Sequence, residues 1–228
     1  MKICLICARK GSKGVPGKHL VQIDGKSLLE NTINQAKESR EFDSILFSSN
    51  DEVLLTIANK IPFVEIIKRP DNLATSNSSK WEVFRHAVEF FETKNVLMPT
   101  DIICDLDISV PYRSVSDIKN VIKEYQNEGV LVTAYESERN PYFNMVQFDE
   151  KNESYSVVMK NQNSNVQNRQ EAKEVFSLSS SIFCFNKETL FKYNHWSECK
   201  LDIYKIPRKR GFDLDNKEDL EYYEATQK

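Results

Sequence analysis

The chain has 228 residues, 40% of them hydrophobic and 29% charged, with a formal net charge of −3. That length suits one large domain or a domain with a sizeable insertion, and the slight acidity argues against broad nucleic-acid binding while leaving room for local basic patches. No apolar run reaches membrane-spanning length, and Met1–Ala8 is too short for a signal peptide before Arg9 and Lys10, so a cytoplasmic protein without a membrane partner is expected.

Met1–Ala8 reads as a strand rich in β-branched and cysteine residues. It runs into a basic, glycine-rich turn ending near His19, and Ser27–Ser39 follows as a helix. Strand, cationic glycine loop and helix is how an α/β sheet offers backbone amides to an anion, with Arg9, Lys13 and Lys18 supplying charge. An ordinary polar loop after a strand would look similar. It is not a Walker A loop: five residues separate Gly11 from Gly17, and Lys18 is followed by His19 rather than Ser or Thr. A GxGxxG fingerprint is also missing. The five cysteines suggest no disulfide framework. Cys4 and Cys7 would point to opposite faces of their strand, so with Cys104 and Cys184 they read as small buried hydrophobes rather than a zinc site.

Phe42–Ser49 reads as the second strand and Asp51–Lys60 as its helix, with Asn50 as the expected cap. Pro62–Lys68 is a third strand, and Arg69–Ser79 a polar loop of the kind found at a ligand edge. Lys80–Glu92 places Trp81, Phe84, Ala87, Val88 and Phe91 at helical spacing, which reads as core packing. Asn95–Asp107 contains another strand, with Val96-Leu-Met98 and Ile102-Ile-Cys-Asp-Leu106 as the two candidates on either side of Pro99. Asp105 and Asp107 share a face if that strand continues, as ligand or metal contacts or as turn and capping groups; Asp101 lies nearby. A turn at Pro111–Arg113, a helix over Ser116–Asn127 and a sheet-centre strand over Gly129–Tyr135 follow.

Residues 136–176 differ in texture, with many Asn, Gln, Glu and Ser and short alternating segments at Tyr142–Phe148 and Tyr155–Met159. This reads as a hairpin-rich arm inserted in one domain spanning 1–228, lying over a ligand or pairing with a second subunit; an inert surface insertion is the plainer reading. Strands at Ser181–Asn186 and Leu201–Ile206, a helix over Lys187–Tyr193 and a closing helix from Asn216 complete the chain. The basic run Pro207–Arg210 points to a local phosphate contact or simple solvation.

In Phe212-Asp213-Leu214-Asp215 an extended backbone would put both carboxylates on one side, their Cα atoms about 6 to 7 Å apart. Hard oxygen ligands so placed suit Mg²⁺ bridging to phosphates. Helix capping accounts for Asp215 as readily, but not for Asp213.

Taken together, Ala8-Arg-Lys-Gly-Ser-Lys-Gly14 with Lys18, and Phe212-Asp-Leu-Asp-Asn-Lys-Glu-Asp-Leu220, resemble the acylneuraminate cytidylyltransferases, the CMP-sialic acid synthetases and their relatives. Weaker echoes are Thr32-Ile-Asn, Arg69-Pro with Leu73-Ala, Pro111-Tyr-Arg113, Asn140-Pro-Tyr142 and Arg169-Gln170. The resemblance covers most of the chain. It implies a three-layer, Rossmann-like nucleotidyltransferase fold with a mostly parallel sheet and an inserted β-rich dimerisation arm. It implies CTP over the first loop, bound by Ala8, Arg9, Gly11, Ser12, Lys13, Gly14, Lys18 and Arg69. Asp213 and Asp215 would be the magnesium ligands, and Arg9, Lys18 and Asp213 the catalytic groups. Asp107, Arg169 and Gln170 would face the sugar-acid acceptor, and the arm would join a homodimer and help cover the site. The implied reaction passes CMP from CTP to the anomeric hydroxyl of a 2-keto-3-deoxy sugar acid and releases pyrophosphate. The proton acceptor stays open between a metal-bound water and a carboxylate such as Asp213. Another NTP with a sugar phosphate, or an inactive nucleotide-binding homologue, are the alternatives.

Three departures fall on the acceptor side. Asp107-Ile-Ser-Val-Pro111 stands where the family commonly has Gln-Pro-Thr-Ser-Pro, the usual Asp is replaced near Ser76, and Ser179-Ser180 replaces an Asn-Gly pair. Asp107 in place of a neutral amide would repel a substrate carboxylate unless a cation intervenes.

Overall fold

The computed structural model describes residues 1–11, 14–23, 25–159 and 172–226. In chain order the first half runs β1 (Lys2–Cys7), the ribbon strands β2 (Gln22–Ile23) and β3 (Lys26–Ser27), α1 (Leu28–Ser39), β4 (Ser44–Ser49), α2 (Glu52–Asn59), β5 (Val64–Lys68), α3 (Lys80–Glu92) and β6 (Ile102–Leu106). The second half runs α4 (Val115–Glu124), β7 (Val130–Glu136), β8 (Val146–Asp149), β9 (Ser154–Val157), β10 (Phe176–Asn186), α5 (Lys187–Lys192), β11 (Leu201–Lys205) and α6 (Lys217–Thr226).

Seven strands form the central sheet in the order β11-β7-β10-β6-β1-β4-β5. Every neighbouring pair is parallel except those of β10, which runs antiparallel to both β6 and β7. Alternation along the strands builds two cores. Cys4, Ile6 and Phe47 pack on one face with α1, α2, α4 and Tyr223 of α6, while Ile3, Leu5 and Leu46 pack on the other with α3 and Leu190 of α5. The result is the expected mostly parallel sheet between two helical layers. Cys4, Cys104 and Cys184 are buried as small hydrophobes, and all five cysteines are free. Trp81 and Phe84 stack into the core against Phe185, with ring centroids 4.9 and 5.4 Å from it, as the helical spacing of α3 implies.

Several boundaries differ from expectation for local reasons. Asp51, not Asn50, caps α2 by accepting hydrogen bonds from the Val53 and Leu54 amides. Of the two candidates within Asn95–Asp107 the strand is Ile102–Leu106, because the turn around Pro99 holds Val96 and Met98 out in solvent. Asp101 sits at the far end of β6 from Asp105 and Asp107, where its carboxylate accepts from the Met98 amide at 2.8 Å. The run Pro207–Arg210 is largely solvated, with Pro207, Arg208 and Lys209 exposed; Arg208 pairs with Glu138 at the surface, Lys209 lies over Tyr112, and the half-buried Arg210 pairs with Asp117.

A buried arginine locks the layers at the sheet's carboxyl edge. Arg113 donates to the carbonyls of Asp107 and Ser181 at 2.7 and 2.9 Å, and to the Gln35 and Thr32 side chains of α1 at 3.1 Å each. Between β7 and β10 lies the β8–β9 hairpin, which pairs with no strand of the main sheet. Asn140 ties its two roots together: its side chain donates to the Lys173 carbonyl at 2.9 Å and accepts from the Tyr142 amide at 2.9 Å. Among the described residues no helix is long and apolar enough to cross a membrane.

Candidate active site

The loop after β1 opens where pairing with β4 ends, at the hydrogen bond from the Ala8 amide to the Ser48 carbonyl. Asn50 then fixes the loop's course, accepting from the Lys10 amide at 2.8 Å and donating to Asp71 at 3.2 Å. Gly11 and Gly17 take left-handed backbone angles, with φ of 75° and 70°. Gly14 is needed for a different reason: a Cβ there would lie 1.7 Å from the carbonyl oxygen of Asp215. The glycine loop therefore rests backbone-to-backbone on the late acidic segment. Lys18 completes the contact, donating to the Leu214 carbonyl at 3.2 Å and pairing with the Asp215 carboxylate at 3.1 Å. Arg9 is half-buried beside this loop.

The acidic segment is extended, as the i, i+2 spacing requires. Leu214 is buried in the core and its amide donates to the Ser109 carbonyl at 2.9 Å, leaving Asp213 and Asp215 on the opposite side. Asp215 does not cap α6. Asn216 and Asp219 do that, Asn216 accepting from the Asp219 amide and Asp219 accepting from the amides of residues 215 and 216. The Asp215 carboxylate stays 68% exposed. Asp213 is set deeper: one oxygen accepts from Ser180 at 2.6 Å and the other is buried with no hydrogen-bond partner. Burial and the neighbouring charge of Asp107 raise its pKa.

Asp107 sits beside this pair at the end of β6. Its Oδ1 accepts from the amide and hydroxyl of Ser109 at 3.0 and 2.6 Å, and its Oδ2 pairs with Lys80 at 3.0 Å. Those contacts hold its pKa well below the usual carboxylate range despite burial. Lys80 also reaches Asp105, at 2.6 Å. Burial pushes the Asp105 carboxyl up to about 6 against the pull of that ammonium. Arg69 is buried and turned back onto β4, donating to the Ser48 hydroxyl and carbonyl at 3.2 and 2.8 Å. His19 is pushed down to about 4 by burial and by Lys18, so it is neutral at pH 7.

The structure thus gathers Ala8, Arg9, Gly11, Gly14, Lys18, Arg69, Asp107, Asp213 and Asp215 at one edge of the sheet. Ser12, Lys13, Arg169 and Gln170 lie outside the described residues. Sequence reasoning gave no role to Lys80, and saw Ser109 and Ser180 only as parts of two departures from the family pattern. Lys80 carried a signal, since a cation at the first position of a helix opposes the helix dipole; the two serines were flagged only by their place in those departures. Among the described residues no group of three or more His, Cys, Asp or Glu side chains is placed to hold a metal. A pair of carboxylates with one unpartnered buried oxygen still fits Mg²⁺, which usually takes one or two protein carboxylates and fills its shell with phosphate and water.

A family model described as cytidylyltransferase matches residues 3–228. The chain belongs to the cytidylyltransferase family. This cytidylyltransferase is accordingly a CTP-dependent nucleotidyltransferase. It is 30% identical over 229 residues to the post-translational flagellin modification protein B of Campylobacter coli, covering 97% of this chain and 93% of the relative. It is 29% identical over 228 residues to the CMP-N,N'-diacetyllegionaminic acid synthase of Campylobacter jejuni, with the same coverage of 97% and 93%. Among solved structures, a CMP:2-keto-3-deoxy-manno-octonic acid synthetase complexed with CTP matches with a TM-score of 0.67 at 14% identity, covering 99% of this chain and 98% of that one. The last likeness establishes the shared fold.

Proposed function

We propose that this cytidylyltransferase transfers CMP from CTP to the anomeric hydroxyl at C2 of a nonulosonic or related 2-keto-3-deoxy sugar acid, releasing pyrophosphate. It would do so in the cytoplasm, where CTP is available. The observation that carries this reading is the contact between two segments 197 residues apart, where Lys18 of the glycine loop meets Asp215 of the acidic pair. Relatives named as acting on legionaminic and pseudaminic acids support the acceptor class.

The chain's own groups suit an in-line attack on the α-phosphorus. In this reading the backbone amides around Gly11, Gly14 and Gly17 would bind the triphosphate, and Arg9, Lys13 and Lys18 would neutralise its oxygens as charge develops. Ser12 and the Arg69 loop complete the nucleotide side, with the Arg69 guanidinium anchored to Ser48. Asp213 and Asp215 would hold Mg²⁺, which when bound neutralises phosphoryl charge and orients the leaving pyrophosphate. Ser180 fixes the Asp213 carboxylate by one oxygen and leaves the other for the cation. Asp107, with Arg169 and Gln170 of the arm, faces the acceptor in this reading.

We extend the reading to a homodimer joined through residues 136–176. The β8–β9 hairpin exposes Phe148 and Tyr155 by 53% and 73%, together with Met145 and Val146, an apolar surface that a second subunit would cover.

Incubating the protein with each of the four NTPs, Mg²⁺ and a panel of sugar acids, with pyrophosphate as readout, tests the function. Release with CTP plus an ulosonic acid is the expected result. Release only with a sugar phosphate, or nucleotide binding without any turnover, would contradict it.

A further inference from the structure

At the end of β6 lies a carboxylate pair to which the transfer mechanism assigns no charge partner from substrate or metal. Asp105 and Asp107 share a single ammonium, that of Lys80, at 2.6 and 3.0 Å. Asp105 is fully buried, and removal of that cation would leave two carboxylates facing each other on one face of a strand. Lys80 is the first residue of α3, directly after the Ser79 cap, where the helix dipole opposes a cation. Its position therefore answers to the carboxylates rather than to the helix. The side chain is also held in place: its ammonium lies 5.7 and 5.8 Å from the ring centroids of Phe84 and Phe183. The Lys80 side chain as a whole is 42% exposed, while Asp105 beneath its ammonium is fully buried.

Asp107, an ionised carboxylate, has only acceptors and cannot itself bind an anion. Both of its oxygens are engaged, one by Ser109 and one by Lys80, and its own charge would repel an incoming carboxylate. Lys80 supplies the only cation bonded to that carboxylate among the described residues.

We propose that Lys80 is a positioning and specificity residue for the acceptor: its ammonium offsets much of the charge of the Asp105–Asp107 pair and lets the sugar acid's carboxylate lie against this edge of the site. The proposal rests on the sugar-acid reading above and adds to it the residue that makes an acidic wall tolerate an anionic substrate. Lys80 acts through Asp107 and by direct attraction, and takes no part in the phosphoryl step.

Steady-state kinetics on Lys80→Met, Lys80→Arg and the double variant Lys80→Met/Asp107→Asn test this. Lys80→Met should raise the KM for the sugar acid by about tenfold or more while the KM for CTP stays within about twofold. Lys80→Arg should restore most of the loss, and removing the Asp107 charge in the double variant should recover part of it. A sugar-acid KM unmoved in Lys80→Met, or equal rises in both KM values, would overturn the role. Should Lys80→Met fail to fold, Asp105→Asn/Lys80→Met is compared with Asp105→Asn alone and read against the same two constants. Wild-type turnover with an unaffected Lys80→Met removes only the Lys80 proposal, whereas a wild type inactive on every sugar acid removes the functional reading and this proposal with it.

Discussion

At the residue scale the site depends on close approach and on isolated charge. Gly14 touches the Asp215 backbone so closely that any side chain must push the loop away from the acidic pair. Gly14→Ala should therefore cut kcat/KM by about tenfold or more with a much smaller change in melting temperature, because the loop is surface structure and the displaced contact belongs to the site. Comparable losses in both, read by kinetics and thermal melting, would make Gly14 a structural residue only. Asp213→Asn keeps the shape and the Ser180 contact but removes a charge. Turnover should fall by about a hundredfold while stability holds or rises, since a buried, partly unpartnered carboxylate is costly to the folded state. His19 gives a pH signature. Its folded pKa, about 4, lies below the ordinary 6.5, so the unfolded chain binds the proton more readily and stability must rise with pH between those values. Urea midpoints for wild type and His19→Gln should run together near pH 7 and separate toward pH 4, where the wild type falls more steeply; parallel curves would mean that the imidazole is not held neutral by burial.

At the scale of elements, three devices set the geometry. The break in regular pairing of β10 between Leu178 and Phe183 brings Ser180 under Asp213, something no alternation pattern announces. Arg113 binds α1, β10 and the end of β6 through four side-chain hydrogen bonds. Replacing it with Met should cost about 3 kcal/mol, because four charge-assisted hydrogen bonds are lost together and the Ser181 carbonyl keeps only the Asp107 amide, and chemical denaturation measures that loss directly. The β8–β9 hairpin is a two-stranded unit stabilised within itself by the Phe148–Tyr155 ring contact, with centroids 5.2 Å apart. Under the dimer proposal, Phe148→Ser/Tyr155→Ser should shift the protein to monomers in analytical ultracentrifugation; a double variant that stays dimeric would place the interface elsewhere.

Over the whole molecule, the parts legible in the sequence were those governed by short-range periodicity. The alternating and helical spacings located the strands, the core aromatics of α3 and the insertion between β7 and β10. The i, i+2 aspartates and the glycine loop were visible because their chemistry is local. What the sequence hid were contacts made across the sheet. Asp105 read as a strand-end ligand or as a turn and capping group until α3 brought Lys80 to it, and Asn50 read as a cap until its amide was needed to join two loops. Thr32 and Arg113, which entered only as faint family echoes, prove to be partners in one buried network. Such pairings depend on which loops the crossovers bring together, and no local spacing encodes them.

The central claim is that the first loop and the last acidic pair serve one triphosphate. A crystal structure with CTP and Mn²⁺, phased on the manganese anomalous signal, tests it most directly. The account predicts a manganese peak touching Asp213 and Asp215, with the triphosphate cradled between residues 9 and 18. Manganese away from both carboxylates, or a triphosphate outside that loop, would contradict it.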